Sequence, residues 1–286
     1  MEECMGLRIL RVADYASELK ERIIIYGRAG IGKTRLALSL TPRFGKIVYY
    51  ASDQNSEFLS SIDPRKRDRI LIVKPEGDDP IRNFMKLAMQ DWRTVDPEIK
   101  TLVVDTYTKV ALDIISFAAN SGTMDREKHY VIGDPNEGGQ AIPNRGDYQA
   151  IESISRGNLD MLFAKQRDMH IIFCMHEDIK IIENVHAVGG PAHPGRAMTE
   201  FIPAQFSTVI RLIRDQILVP GADVPEDVVI AVTENDGKFI CKVRTADESS
   251  PNPLARVILD RNPANWWEAY DAVYGPKEDS VGSGSV

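Results

Sequence analysis

The stretch GRAGIGKT, Gly27 to Thr34, has the residue types and spacing of a phosphate cradle, G-x-x-x-x-G-K-[ST]. Glycines let successive backbone N–H groups turn toward one anion, and a helix opening at Lys33 adds the positive end of its dipole. The candidate nucleotide-binding residues are therefore Gly27, Arg28, Ala29, Gly30, Ile31, Gly32, Lys33, Thr34 and Arg35. Lys33 is placed to reach the β- and γ-phosphates, and the Thr34 hydroxyl to ligate Mg²⁺. The motif follows the apolar run RIIIY and opens KTRLALSL, the strand-then-helix setting that this chemistry requires. ATP and Mg²⁺ are the cofactors implied.

The run TLVVDT ends in Asp105, a carboxylate suited to hold Mg²⁺ through its water shell. An aspartate at a strand end can also cap a helix; beside a phosphate cradle the metal role takes precedence. Two strand–helix units separate Lys33 from Asp105, so their strands are not expected to be neighbours. Phosphate-loop proteins with such an inserted strand hydrolyse ATP with a carboxylate-activated water. Asp105 is followed by Thr106 and not by glutamate, which moves the search for that carboxylate to the neighbouring strand, IVYYASD. It ends at Asp53, the candidate general base, with Glu57 as the alternative. The plain alternative is that Ser52 or Asp53 only caps a helix.

Continuous apolar runs at 22–26, 46–51, 69–73, 101–105 and 169–175 alternate with helical patterns at 33–40, 81–92, 108–120 and 147–168. That alternation predicts an α/β fold with a mainly parallel central sheet flanked by helices. The last third changes character: 207–214, 228–233 and 238–244 read as strands joined by turns such as ENDGK, predicting antiparallel hairpins. A short helix over 263–274, carrying Trp266 and Trp267, closes the fold. The expected division is one core over 1–260, a C-terminal helix over 261–275 and a disordered tail over 276–286. No internal repeat is present.

Bulk properties exclude several classes. The 286 residues carry a net charge of −7, with 43% hydrophobic and 27% charged side chains. These are ordinary values for a soluble globular protein, and the wrong sign for one that coats nucleic acid with its whole surface. Three scattered cysteines form neither a disulfide framework nor a paired zinc spacing. Without a signal-peptide pattern or an apolar run long enough to span a bilayer, the expectation is a cytoplasmic protein with no membrane partner.

The order of motifs resembles the RecA superfamily: phosphate loop, strand ending in an acid, metal-binding strand, strand ending in a polar sensor, late strand carrying K-x-R. More narrowly the chain resembles the compact RecA-like ATPases of bacteriophages, AAA-domain proteins that include single-strand annealing factors, over about 10–259. The resemblance implies an ATPase that acts on single-stranded DNA in phage-type recombination or replication, in the host cytoplasm if phage-encoded. His176, in IIFCMHED, matches the sensor of the γ-phosphate; read alone, it caps a strand end. Lys242 and Arg244, in FICKVRTAD, match the cation pair that reaches a neighbouring subunit's γ-phosphate. Strict alternation would aim both the same way, opposite Phe239, Cys241 and Val243; the plain reading is a solvated strand face. Such sharing implies head-to-tail self-assembly, as a ring or a filament.

The long polar segments 121–146 and 177–197 fall where RecA-like proteins carry DNA-contacting loops. The candidate contacts are Arg126, Lys128 and Arg145 in the first, and Lys180, His193 and Arg196 in the second. Aromatic stacking residues are scarce there, and acids such as Asp125, Glu137, Glu177 and Glu183 are interspersed. The basic run DPRKRDR, 63–69, reads as a charged surface turn. The rival readings are an ATP-dependent switch that binds a replication or recombination protein, such as a helicase loader, and a small-molecule kinase, which the inserted strands disfavour.

Overall fold

In the computed structural model four of the continuous apolar runs form the buried middle of one sheet, while the run at 69–73 supplies its edge strand and leaves Leu71 and Ile72 exposed. The structure describes residues 3–4, 7–8, 20–52, 62, 64–120, 130–132, 140–143, 145–182, 186–195, 197–217, 224–243, 252–259 and 263–274. Two short N-terminal strands, β1 (Glu3–Cys4) and β2 (Leu7–Arg8), pair with each other. The main strands are β3 (Arg22–Gly27), β4 (Lys46–Ala51), β5 (Ile70–Val73) and β6 (Ile99–Asp105). After a small hairpin of β7 (Tyr130–Ile132) and β8 (Gln140–Ile142) come β9 (His170–Ile182), β10 (His186–Pro191), β11 (Thr208–Ile217), β12 (Glu226–Val232) and β13 (Arg256–Leu259). The sheet order is β13-β12-β11-β3-β9-β6-β4-β5, parallel from β11 to β5 and antiparallel at β12 and β13. As expected, β3 and β6 are not neighbours; β9 lies between them.

The helices are α1 (Lys33–Ala37), α2 (Pro64–Arg67), α3 (Pro80–Met89), α4 (Trp92–Val95), α5 (Tyr107–Asn120), α6 (Arg145–Lys165), α7 (Met198–Ala204) and α8 (Ala264–Tyr274). One core cluster joins Ile24, Tyr26, Val104 and Phe173 to Phe84, Tyr107, Ile114 and Leu159, from α3, α5 and α6. The other joins Ile23, Ile25, Val103 and Ile172 to Leu36, Phe44, Trp266 and Trp267. Alternate residues of each central strand thus serve opposite faces. The α1 helix is shorter than the sequence pattern predicts. Its end is held by α8, whose Trp267 indole N–H donates to the Leu36 carbonyl (2.8 Å).

Two expectations need correction. The segment 177–197 is not an open loop: β9 runs on through Ile182 and pairs antiparallel with β10, from Glu177↔Pro191 to Ile182↔His186. The stretch 238–244 is not a regular strand either. Its described part makes isolated bridges, Phe239 with Gly189 and Lys242 with Val209, and the outer neighbour of β12 is β13. Strict alternation fails with it, since Cys241 belongs to the first core cluster while Val243 packs against the second. A segment that crosses between partners has no common pleat to enforce a period of two.

The structure also corrects the reading of His193 as a DNA contact. It is 7% exposed. Its Nδ1 accepts the Gly195 N–H (2.9 Å) and its Nε2 meets the Ser155 hydroxyl of α6 (3.2 Å). This ring ties the return of the hairpin to the core and faces no solvent-borne ligand. His170 is similar, its Nδ1 accepting the Glu21 N–H (3.0 Å) while the ring packs on Phe44.

Burial pushes the His170 pKa down to about 3, helped by Arg43, and that of His193 down to about 4. Unfolded, both take a proton near pH 6.5. Between pH 6.5 and about 4 the unfolded chain therefore binds more protons, and stability falls as pH falls, by about 1.4 kcal/mol per pH unit per histidine. Urea midpoints at pH 6.0 and 5.0 are expected to show this loss. His193→Gln should remove about half of the slope attributable to the pair; an unchanged slope would contradict a neutral buried ring.

Candidate nucleotide site

The C-terminal ends of β3, β6 and β4 and the point where β9 leaves the sheet line up along one edge. Register pairs Gly27 with His176, Cys174 with Asp105, and Ala51 with Asp105. The phosphate loop thus begins one strand from His176 and two from Asp105.

Backbone shape explains the glycines. A Cβ at Gly27 would stand 2.7 Å from the Leu212 carbonyl oxygen. Gly32 caps α1 at φ 104°, a left-handed value costly for any other residue. Around Gly30 and Gly32 a Cβ would meet nothing within 4 Å, so the loop leaves open space of the kind an anion needs. Lys33 is 6% exposed, and its ammonium donates to the carbonyls of Gly27 (3.0 Å) and Arg28 (2.9 Å). Its charge is held over the loop itself.

Thr34 and Asp105, singled out separately in the sequence, touch: the Thr34 hydroxyl donates to Asp105 Oδ2. The same oxygen accepts the hydroxyl of Tyr49 (2.8 Å), from the strand on the other side of β6. Burial, and next the Asp105 carboxylate, hold the Cys174 thiol well above its ordinary pKa, so this cysteine is no nucleophile. Hard oxygen donors of this kind suit Mg²⁺, which takes one or two protein ligands and fills its shell with phosphate oxygens and water. Among the described residues no group of three or more His, Cys, Asp or Glu able to hold a metal occurs. The residues present fit both the nucleotide and the ion.

His176 is half-buried at the point where β9 leaves the sheet. Its N–H donates to the Thr108 hydroxyl (3.0 Å), that hydroxyl donates to the Ala192 carbonyl (2.9 Å), and the His176 carbonyl accepts the Ala192 N–H (2.8 Å). Thr108 of α5 therefore clasps both arms of the β9–β10 hairpin at its base. The next residue, Glu177, has a side chain only 3% exposed and is paired with Arg211, whose guanidinium lies 3.2 Å from the centroid of Phe239. Arg28 of the phosphate loop stands 3.9 Å from the same carboxylate.

Sequence reasoning missed Tyr49, Thr108, and the pairing of Glu177 with Arg211. The available signal was a tyrosine inside a buried run, where its hydroxyl needs a partner. Glu177 was read as a loop acid because the strand was expected to end before it.

The remaining candidates are dispersed. Asp53, Glu57, Arg126, Lys128, Arg196 and Arg244 lie outside the described residues. Arg145 is exposed at the start of α6, and Lys180 lies along β9 in the hairpin. Lys242 is bridged to Val209, which pairs with Ile24, whereas Leu212 pairs with Gly27. Within its own chain it therefore sits three register positions below the phosphate loop. Burial lowers its ammonium pKa.

A glycine-lined phosphate loop, a Thr34–Asp105 contact joining α1 to the end of β6, and a strand inserted between β3 and β6 in a mainly parallel sheet define a P-loop ATPase core fold. The chain belongs to the AAA domain family, whose sequence model matches residues 19–237. No curated protein matches it. Among solved structures it is similar to an ATPase from the type III secretion system of pathogenic bacteria, at 13% identity and a TM-score of 0.41. The match covers 68% of this chain and 51% of that one, so the chain spans about half the length of that ATPase. Among the described residues no helix is long and apolar enough to cross a membrane.

The Glu177–Arg211 pair makes a stability prediction. Arg211→Met would leave a buried carboxylate without its close cation and should cost about 3 kcal/mol, whereas Glu177→Gln combined with Arg211→Met should recover most of it. Urea denaturation of the three proteins measures both values. Equal losses in the single and double variants would show that packing, not charge, is at stake.

Proposed function

We propose that this ATPase acts on single-stranded DNA, as a RecA-like protein of the phage recombination or replication type that assembles head to tail. The observation that carries the reading is the row of Gly27, His176 and Asp105 on three adjacent strands, with Thr34 bonded to Asp105. In this reading Lys33 binds the phosphates, and Thr34 and Asp105 hold the metal. Bound Mg²⁺ supplies charge neutralisation on the phosphates. Tyr49 keeps Asp105 oriented. Asp53, which follows the strand beside β6, takes the proton of the attacking water. His176 carries the state of the γ-phosphate into the hairpin, where Lys180 contacts the strand; Arg126, Lys128, Arg145 and Arg196 are the other contacts.

Lys242 and Arg244 serve the neighbouring subunit's site. The level of Lys242 in its own sheet, away from its own phosphate loop, suits a residue that works across an interface. The net charge of −7 supports a second reading, an ATP-driven switch whose partner is a replication or recombination protein. Removing His193 from the DNA contacts leaves fewer cations for the first reading.

Turnover of ATP should require Lys33, and Lys33→Ala is expected to abolish nucleotide binding. Lys242→Ala and Arg244→Ala should keep binding and lose about 10³-fold in rate. Mixing either with Lys33→Ala should restore part of the activity, because each contributes what the other lacks. Mixtures that co-assemble and stay inactive would rule out sharing between subunits. Titration of a fluorescent oligonucleotide separates the two partners: binding at micromolar protein with ATP supports DNA, and none with or without ATP supports the protein switch.

A further inference from the structure

A hollow of about 860 Å³ opens at the C-terminal end of β4, between α5 and the turn that leads from β5 into α3. A second of about 250 Å³ adjoins it, and the two share Tyr50, Lys74, Pro75 and Asn83. Asn83 is the telling residue. It is 8% exposed, on a helix fixed by Pro80 and by the Asp79 carboxylate that accepts the Arg82 N–H (2.9 Å). Its side-chain amide has no hydrogen-bond partner among the described residues and lines both hollows. The amide atoms are not sealed off by protein, so their donor and acceptor are presented to whatever enters the hollow.

The chemistry of the walls narrows that ligand. A primary amide offers a donor and an acceptor side by side, the complement of a nucleobase edge. Phe117, half-buried on α5, gives the same hollow an aromatic face on which a base can stack. The charges within the large hollow largely cancel, since Lys109 is paired with Asp113, as suits a neutral ring. At the rim Lys74 and Lys86 are exposed and pair with no carboxylate among the described residues. Glu76 and Asp78 stand on the same rim, so the cations steer only locally and salt sensitivity should be modest.

We propose that this hollow takes a nucleotide unit of an unpaired strand, its base against Asn83 and Phe117 and its phosphates beside Lys74 and Lys86. The proposal rests on the single-stranded DNA reading and adds a place for the strand among residues that no motif marks. Position gives it a consequence. Ser52, in the wall of the hollow, donates its N–H to the Asp105 carbonyl (2.9 Å) and its hydroxyl to the Thr106 carbonyl (3.0 Å). An occupant would therefore lie one strand from the metal-binding carboxylate.

The test uses the full chain with ATP and Mg²⁺, a fluorescent oligothymidylate read by anisotropy, and thymidine monophosphate as competitor. Asn83→Leu should weaken oligonucleotide binding about tenfold and leave fluorescent-ATP binding unchanged. Lys74→Ser with Lys86→Ser, both exposed, should lower the slope of log K against log salt by about 1.4, even if Asn83→Leu folds poorly. Wild-type binding that both variants reproduce in affinity and slope would overturn the hollow and leave the DNA reading intact. No wild-type binding at all would overturn both. Displacement of the oligonucleotide by low concentrations of the monophosphate would keep the hollow as a nucleotide site and transfer it from a strand to a free nucleotide.

Discussion

The structure turns on one carboxylate oxygen. Asp105 Oδ2 receives the hydroxyl of Thr34 from the phosphate loop and that of Tyr49 from β4, so a single buried atom fixes two elements on opposite sides of β6. A charged oxygen with hydroxyl donors on both sides is tolerable in an interior where an unpaired one would be expelled or protonated. The rest of the site inherits its geometry from this point. The loop cannot slide along the sheet without breaking the Thr34 contact, and β4 cannot shift register without losing Tyr49.

A second set of contacts joins that edge to the hairpin. Thr108 binds both arms of the hairpin at its base, and Glu177 lies between the cation of the phosphate loop and that of β11. The hairpin base is also closely packed from outside. Added Cβ atoms would lie 3.0 Å from Phe239 at Gly189, where the hairpin's own Asp178 carbonyl oxygen also stands at 2.3 Å, and 3.0 Å from Ile240 at Gly190. These two glycines admit Phe239 and Ile240, in the segment that leads to Lys242, against the hairpin base. Substitution of Gly189 would have to displace backbone, whereas at Gly190 the Ile240 side chain would have to give way.

Much of this was legible in the residues, for reasons that differ by element. The central strands announced themselves because strands buried on both faces are apolar without interruption, and the glycine spacing of Gly27–Gly32 has few uses other than a phosphate loop. The extension of β9 stayed hidden because Glu177, Asp178 and Lys180 interrupt its apolar pattern, and the cation that pairs with Glu177 lies in another element. The stretch Phe239–Val243 misled by alternating like a strand while its side chains go to both cores. Asn83 gave no sign at all: an asparagine in an amphipathic helix looks solvated until the elements around it are placed. Local pattern reads burial well; it does not read which polar groups are left facing one another.

β9 is one unbroken strand from His170 to Ile182. At about 3.3 Å per residue, its thirteen residues span roughly 40 Å. Its first half is clamped between β3 and β6, while its second half leaves the sheet and, among the described strands, pairs with β10. Mechanically this is a cantilever with its root at the edge that carries the phosphate loop. No hinge of coil separates root from free end, so a tilt of a few degrees at His176 is not absorbed along the way but arrives at the far end multiplied by the length of the beam.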